Sequence, residues 1–279
     1  MSQSASIFHG ALQLQVQLPE PEQELMPGVA WGRVDAFPTP AYWTYQVLAR
    51  RMLSPFKTHR LGNSLCEEVV ACLLGGYGLP ATVGNAAFER LRHEGVLSAS
   101  ASEEVIYHHL CEPLAINGRQ VRYRFAKQKA RYVSGAVTIL HSEEAPMQGG
   151  RALRDWLLKL SGVGPKTASW IARNWLDTDD VAILDIHILR AGRLAGIFDE
   201  TAKVERDYMA LESQFLAFSQ ALGLRPSELD AVIWAEMSAS AATLRELTSV
   251  NVPVTKPRLG KTSRTRQSQA DPLQARLID

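Results

Sequence analysis

Residues 160–168, with the sequence LSGVGPKTA, constrain the fold more than any other part of the chain. Apolar residues at helical spacing flank the segment: Leu153, Trp156, Leu157 and Leu160 come before it, and Ala168, Ile171, Ala172 and Trp175 follow it. The pattern predicts two short helices over about residues 152–175. Glycines at both ends of residues 162–164 permit positive φ angles and the close approach of another backbone. Pro165 suits the first position of the second helix, where its missing N–H costs nothing.

The predicted turn is also a candidate phosphate site. Free amides at the start of a helix point outward together and attract anions. The amides around Gly162, Val163 and Gly164 would therefore bind a nucleic-acid backbone without distinguishing its sequence. The segment resembles the helix-hairpin-helix motif. A glycine-capped turn in an unrelated helical bundle is the alternative.

Lys166 lies in the first turn of the second predicted helix. A cation there faces the positive end of the helix dipole, which is unfavourable by several tenths of a kcal/mol. The same field favours the neutral amine, a nucleophile suited to Schiff-base chemistry. A surface lysine that binds a phosphate is an equally good interpretation.

Asp185 directly follows the apolar run Val-Ala-Ile-Leu, nineteen residues after Lys166. Aspartate is a preferred N-cap residue, and this is its simplest interpretation. A capping carboxylate behind an apolar run could also direct one oxygen into a cleft. His187 lies at the same helix start, and no further ligands support a metal site with Asp185.

A lysine in the hairpin followed by Asp-x-His resembles the helix-hairpin-helix DNA glycosylases, and within them the bifunctional 8-oxoguanine DNA glycosylase/AP lyases. The resemblance covers residues 65–244 and is strongest over 123–131 and 155–190. It implies two helical subdomains with a cleft between them, acting as a monomer on duplex DNA that contains a damaged base. It also implies that Lys166 attacks C1′ of a flipped nucleotide and that Asp185 stabilises the sugar cation.

The resemblance implies further contacts at the hairpin. His187 would contact a phosphate, and the hairpin glycines would hold the DNA backbone. Carbonyls of Leu160 and Val163 could hold a monovalent cation, and no other metal and no cofactor are expected. Glycosylases for other modified bases and non-catalytic DNA-binding modules are the alternatives, and the presence of both Lys166 and Asp185 argues against the second.

Cysteine content separates this chain from one branch of these enzymes. Its three cysteines, Cys66, Cys72 and Cys111, cannot supply four thiolates to an iron–sulfur cluster. An odd, sparse set also fits a reducing cytoplasm, or the nucleus in a eukaryote. About forty residues precede the helical pattern, which is too few for the large N-terminal domain of the eukaryotic 8-oxoguanine enzymes. The resemblance is therefore to the compact prokaryotic and archaeal members of the family.

Any basic surface must be local, because the net charge is only +1. Residues 119–131, RQVRYRFAKQKAR, carry six basic residues and no acid. Arg124, Lys127 and Lys129 are therefore candidate DNA contacts, and a solvated helix face is the alternative. Residues 251–279 are predicted to be a disordered basic tail that either adds salt-sensitive contacts or is inert.

Asp230 and Trp234 are a candidate base pocket. They lie four residues apart, on one face of a helix predicted to begin near Pro226. An indole could stack on a flipped base while the carboxylate accepts from its N–H groups. The resemblance adds that compact archaeal enzymes use a comparable pair from their last helix. A core tryptophan beside a solvent-facing aspartate is the alternative.

The fold is predicted to be mainly α, a two-subdomain helical bundle with a short N-terminal β segment. Strict alternation over residues 11–18 predicts one strand, residues 28–37 could form another short strand, and no further strands are expected beyond about residue 40. The predicted domains are an arm over 1–40, a helical domain over 41–250 and the tail. No stretch reaches 18 apolar residues, so no membrane span is expected.

Overall fold

The computed structural model describes residues 2–53, 56, 60–76, 78–98 and 100–249, the last ten by their backbone alone. The helices are α1 (Pro40–Leu53), α2 (Leu65–Leu74), α3 (Ala81–His93), α4 (Glu103–Cys111), α5 (Ala126–Ser142), α6 (Gly150–Leu157), α7 (Pro165–Leu176), α8 (Ile186–Leu194), α9 (Val204–Leu222) and α10 (Pro226–Ser249). The strands are β1 (Gln3–His9), β2 (Leu12–Leu18), β3 (Glu24–Met26), β4 (Val29–Ala30), β5 (Leu114–Ile116) and β6 (Arg119–Val121). The predicted mainly α fold is confirmed. The predicted tail lies outside the described residues.

Hydrophobic packing divides the described chain into two clusters of buried side chains. The first is built from α2 to α7 and β5. The second is built from the N-terminal strands, α1 and α8 to α10. The extended segment over residues 181–184 lies at their junction, since alternate side chains enter opposite clusters: Val181 and Ile183 join the first, and Ala182 and Leu184 join the second. None of the described helices is long and apolar enough to cross a membrane.

The N-terminal arm packs as part of the second cluster. The predicted strand is confirmed as β2, which pairs antiparallel with β1 from Gln3 opposite Leu18 to His9 opposite Leu12. Val16 and Leu18 of β2 are buried beside Trp31 and the start of α1, whereas Leu12 and Leu14 are exposed, so only the second half of the strand follows the expected alternation. The arm therefore lies in the same cluster as α8 and α10, and its strands pack against α1 and α9.

A hairpin between α4 and α5 corrects the expectation of a purely helical chain after residue 40. Strands β5 and β6 pair antiparallel from Leu114 opposite Val121 to Ile116 opposite Arg119. Asn117 and Gly118 form the turn with φ of +49° and +75°. Two positive φ angles are characteristic of a type I′ turn, for which Asn-Gly is the strongest short signal. The Asn117-Gly118 dipeptide is therefore a sequence signal for this hairpin.

Candidate active site

The turn between α6 and α7 depends on its two glycines in different ways. Gly162 has φ +88°, and a Cβ there would lie 2.3 Å from the ring of Tyr132. Gly164 caps α7 with φ −95°, and no atom lies within 4 Å of its hypothetical Cβ. Gly162 is therefore required by the turn itself, whereas the space beside Gly164 is open to an approaching backbone. The Val163 amide donates to the Leu160 carbonyl at 3.0 Å. A monovalent cation at the carbonyls of Leu160 and Val163 stays a prediction.

The structure brings Lys166 and Asp185 together. Lys166 is the second residue of α7, and its Nζ lies 3.9 Å from Asp185 Oδ2. Asp185 caps α8, since its Oδ1 accepts from the amides of His187 at 2.8 Å and Ile188 at 3.1 Å. The two interpretations of Asp185 are thus compatible: one oxygen caps the helix, and the other faces the amine. The Lys166 side chain is 34% exposed, so a ligand can reach it.

His187 lies beside this pair and is half-buried. Burial lowers the pKa of His187, and the charges of Arg190 and Lys166 lower it further against the opposing effect of Asp185. The imidazole is therefore neutral at pH 7. Its Nδ1 is buried and has no hydrogen-bond partner within the described ranges, and its ring meets Trp234 edge-on at 6.3 Å. A phosphate contact through His187 stays a prediction.

Asp230 lies in the interior rather than at the surface, so the solvent-facing alternative is wrong. Its Oδ2 accepts from an Arg173 guanidinium N–H and from the Ile183 amide at 3.2 Å. Burial raises the pKa of Asp230 to about 6. Trp234 is also buried. Base recognition by this pair stays a prediction, and the structure gives Asp230 a second role as the counter-ion of a buried arginine.

The basic segment over residues 119–131 is not one helix face. It comprises β6, a short connection and the first turns of α5. Arg124 and Lys127 are exposed, as a DNA contact requires. Tyr123, in the same segment, is buried, and its hydroxyl donates to the Leu74 carbonyl at 2.6 Å.

Lys129 is partly buried, unlike Arg124 and Lys127, and its predicted DNA contact stays a prediction. Its ammonium donates to the Leu73 carbonyl and, at 3.1 Å, to the Gly75 carbonyl. Burial lowers the pKa of Lys129. The last carbonyls of a helix lack internal partners and favour a cation, so Lys129 caps the C-terminus of α2 instead of presenting its charge to solvent.

Several buried polar residues near the pair were missed from the sequence. They are Arg154, Ser169, Trp170, Arg173, Asn174, Tyr208 and Glu212. Trp170 and Asn174 follow Lys166 by four and eight residues on α7, and their Nε1 and Nδ2 groups have no acceptor in the described part of the chain. The buried charges directly follow apolar stripe residues, for example Arg154 after Leu153, a signal too common to single them out.

Comparisons with known proteins identify related sequences. A family model described as 8-oxoguanine DNA glycosylase matches residues 50–224, a range that contains Lys166 and Asp185 but not Asp230. The 8-oxoguanine DNA glycosylase/AP lyase of Methanocaldococcus jannaschii is 31% identical over 121 residues, 42% of this chain and 58% of that protein. The protein of the same name from Thermotoga petrophila is 28% identical over 192 residues, 67% of this chain and 87% of that protein.

A solved structure shows more distant similarity. It is the Methanocaldococcus jannaschii 8-oxoguanine glycosylase/lyase in complex with 15mer DNA containing 8-oxoguanine. The TM-score is 0.47 at 22% identity, over 69% of this chain and 95% of that one.

Proposed function

The chain belongs to the 8-oxoguanine DNA glycosylase family, and we propose from this that it excises 8-oxoguanine from duplex DNA and then cleaves the strand as an AP lyase. Lys166 is the proposed nucleophile, and Asp185 is the proposed electrostatic partner. Because its substrate would be genomic DNA, we expect the enzyme in the nucleoid of a prokaryote or the nucleus of a eukaryote.

One observation carries this proposal. The amine of Lys166, at the start of the hairpin helix, lies 3.9 Å from a carboxylate oxygen that is not used in capping α8. An amine beside an oriented, nearly buried carboxylate is the arrangement that covalent attack on a sugar carbon needs. A module that only binds DNA has no use for a partly desolvated carboxylate aimed at the lysine.

The proposed reaction begins with binding and base flipping. The α7 amides near Gly164 and the exposed Arg124 and Lys127 hold phosphates on the outside of the duplex. A glycosidic bond inside a stacked duplex is out of reach of Lys166, so the damaged nucleotide must leave the stack. The junction between the two clusters, where Asp185 and His187 meet α7, is the place to receive it.

The chemical steps follow from the Lys166–Asp185 geometry. The amine of Lys166 attacks C1′, and the C1′–N9 bond breaks with its electron pair leaving on the base, which takes up one of the two amine protons. The negative charge of Asp185 Oδ2 stabilises the positive charge that develops on the sugar. The C1′–O4′ bond of the sugar ring then breaks, the second amine proton passes to O4′, and an imine forms between Nζ and C1′. Loss of a proton from C2′ and of the 3′-phosphate from C3′ completes β-elimination, and hydrolysis of the imine frees the enzyme.

Borohydride trapping tests the proposal directly. Reduction of the imine should fix wild-type protein covalently to a duplex containing 8-oxoguanine. Lys166→Gln should bind the same duplex with similar affinity and trap nothing. A panel of duplexes with oxidised pyrimidines, alkylated purines or undamaged bases tests the base. Undiminished trapping by Lys166→Gln would refute the assignment of the nucleophile, binding without trapping on any duplex would show a non-catalytic module, and trapping confined to another lesion would refute 8-oxoguanine.

A further inference from the structure

The segment that leads into Asp185 is extended and buried without a strand beside it. Residues 181–184 are each at most 1% exposed. Buried backbone N–H groups need acceptors, and no sheet supplies them here. Side chains of α9 and α10 do so, through the pairs Ala182 N to Glu212 Oε1 at 3.0 Å, Ile183 N to Asp230 Oδ2 at 3.2 Å and Leu184 N to the Tyr208 hydroxyl at 3.2 Å.

Two of these acceptor oxygens also bind the hairpin helix α7. Glu212 Oε1 accepts from the Ser169 hydroxyl at 3.1 Å. Asp230 Oδ2 accepts from Arg173. The second oxygen of Glu212 accepts from Arg154 of α6 at 2.6 Å, so both buried carboxylates face a cation. One oxygen atom of each carboxylate therefore joins α7 directly to the backbone just before Asp185.

We propose that Glu212 and Asp230 are positioning residues that fix the spacing between Lys166 and Asp185, an inference that rests on the proposed function. Ser169 lies three residues after Lys166, and Ala182 lies three residues before Asp185. The shared oxygen of Glu212 thus bridges the two elements close to the reacting groups. Apart from these bridges, residues 177–180 join α7 to the extended segment along the chain, and apolar side chains of both lie in the hydrophobic clusters. Apolar contacts are non-directional and do not set a spacing by themselves.

Ser169→Ala is the least disruptive test, because it deletes one hydroxyl and leaves Glu212 bound to Ala182 and Arg154. Ser219→Ala is its matched control. Ser219 is equally buried, lies on α9 and donates to the Leu224 carbonyl at 2.7 Å, outside the bridge. The measurement is the single-turnover rate of borohydride trapping at saturating abasic-site DNA, with Kd and Tm recorded for each variant.

We expect Ser169→Ala to lower the trapping rate at least about tenfold, with Kd unchanged and a Tm close to that of Ser219→Ala. The two substitutions remove the same group from equally buried sites, so a purely structural effect would appear in both. The Ser219→Ala rate should equal the wild-type rate. A wild-type rate for Ser169→Ala, or equal losses in both variants, would overturn the proposal.

A double substitution adds a readout that stability alone does not move. If Ser169 acts through the lysine–aspartate spacing, Ser169→Ala should cost little further rate once Asp185→Asn has removed the charge. Fully additive losses would overturn the proposal. Absence of trapping by the wild type on both abasic and 8-oxoguanine DNA would instead refute the proposed function, and the positioning role with it.

Asp230 separates positioning from base recognition. Asp230→Asn keeps a side-chain oxygen that can accept from Ile183 while removing the charge that faces Arg173. A positioning role predicts equal losses in 8-oxoguanine excision and in cleavage of a preformed abasic site. Loss of excision with normal abasic-site cleavage would overturn the positioning role of Asp230 and support the base pocket.

Discussion

The two glycines of the hairpin should respond oppositely to alanine. At Gly162 the backbone has φ +88°, and a Cβ would lie 2.3 Å from the Tyr132 ring. At Gly164 the backbone is in an allowed region, and nothing lies within 4 Å of the added carbon. Gly162→Ala should therefore destabilise the fold, whereas Gly164→Ala should leave the fold intact and block the approach of a DNA backbone.

The magnitudes follow from these geometries. A left-handed backbone costs a non-glycine residue about 1–2 kcal/mol, and overpacking adds about 1–3 kcal/mol. Gly162→Ala should thus lose about 2–5 kcal/mol, which lowers Tm by roughly 4–20 °C for a domain of this size. Gly164→Ala loses only part of a helix cap, about 1 kcal/mol or less. We take the binding free energy lost to the steric block at the proposed phosphate site to be that of one charged hydrogen bond, about 1.5–3 kcal/mol. Such a loss weakens DNA binding roughly 10- to 100-fold.

Calorimetry and fluorescence anisotropy check both halves of this prediction. Binding is measured at one salt concentration in a Lys166→Gln background, so that no DNA is cleaved. Adding Tyr132→Ala to Gly162→Ala should recover the steric part of the loss and leave the backbone strain. A Gly162→Ala protein that melts within about 1 °C of the wild type would refute the strain argument. An unchanged Kd for Gly164→Ala would show that DNA does not approach this turn.

Three further predictions concern other parts of the site. Asp185→Asn should lower the single-turnover excision rate about 10²–10³-fold with little change in Tm, because asparagine caps a helix nearly as well but carries no charge; a near-normal rate would leave Asp185 as a cap only. Arg124→Gln should reduce the slope of log K against log[salt] by about 0.9, whereas Lys129→Met should lower Tm and leave that slope unchanged; the reverse pattern would contradict the assignment of Lys129 to the end of α2. Because folding lowers the pKa of His187, its contribution to stability is complete above the pKa of the unfolded chain and is lost as the pH falls through the pKa of the folded protein. Between pH 7 and 5 the wild-type Tm should therefore fall more steeply than the Tm of His187→Gln. Equal slopes would contradict a buried neutral imidazole.

Local patterns in the sequence predicted the two hairpin helices and the N-terminal strand, and the resemblance to a known family added the roles proposed for Lys166 and Asp185. The two helices of the hairpin and the strand that became β2 follow from periodicity alone. The roles of Gly162 and Pro165 follow from backbone conformation, and Asp185 was identified as an N-cap. The β5–β6 hairpin is the opposite case, because the helical pattern predicts no strand there although Asn117-Gly118 is a local signal for its turn.

The sequence by itself determined that Lys166 and Asp185 lie at the starts of α7 and α8, because capping and turn formation depend on residues within a few positions of one another. Only the tertiary structure decided which oxygen of Asp185 faces the amine and at what distance. It also decided that Lys129 turns inward to α2 and that Asp230 faces Arg173 rather than solvent. The contacts of Lys129 and Asp230 join residues more than fifty positions apart, and a side chain's charge does not specify which distant backbone group or counter-ion will be brought beside it. Folding selects that partner through the packing of the two hydrophobic clusters, and the buried charges must then find partners at their junction.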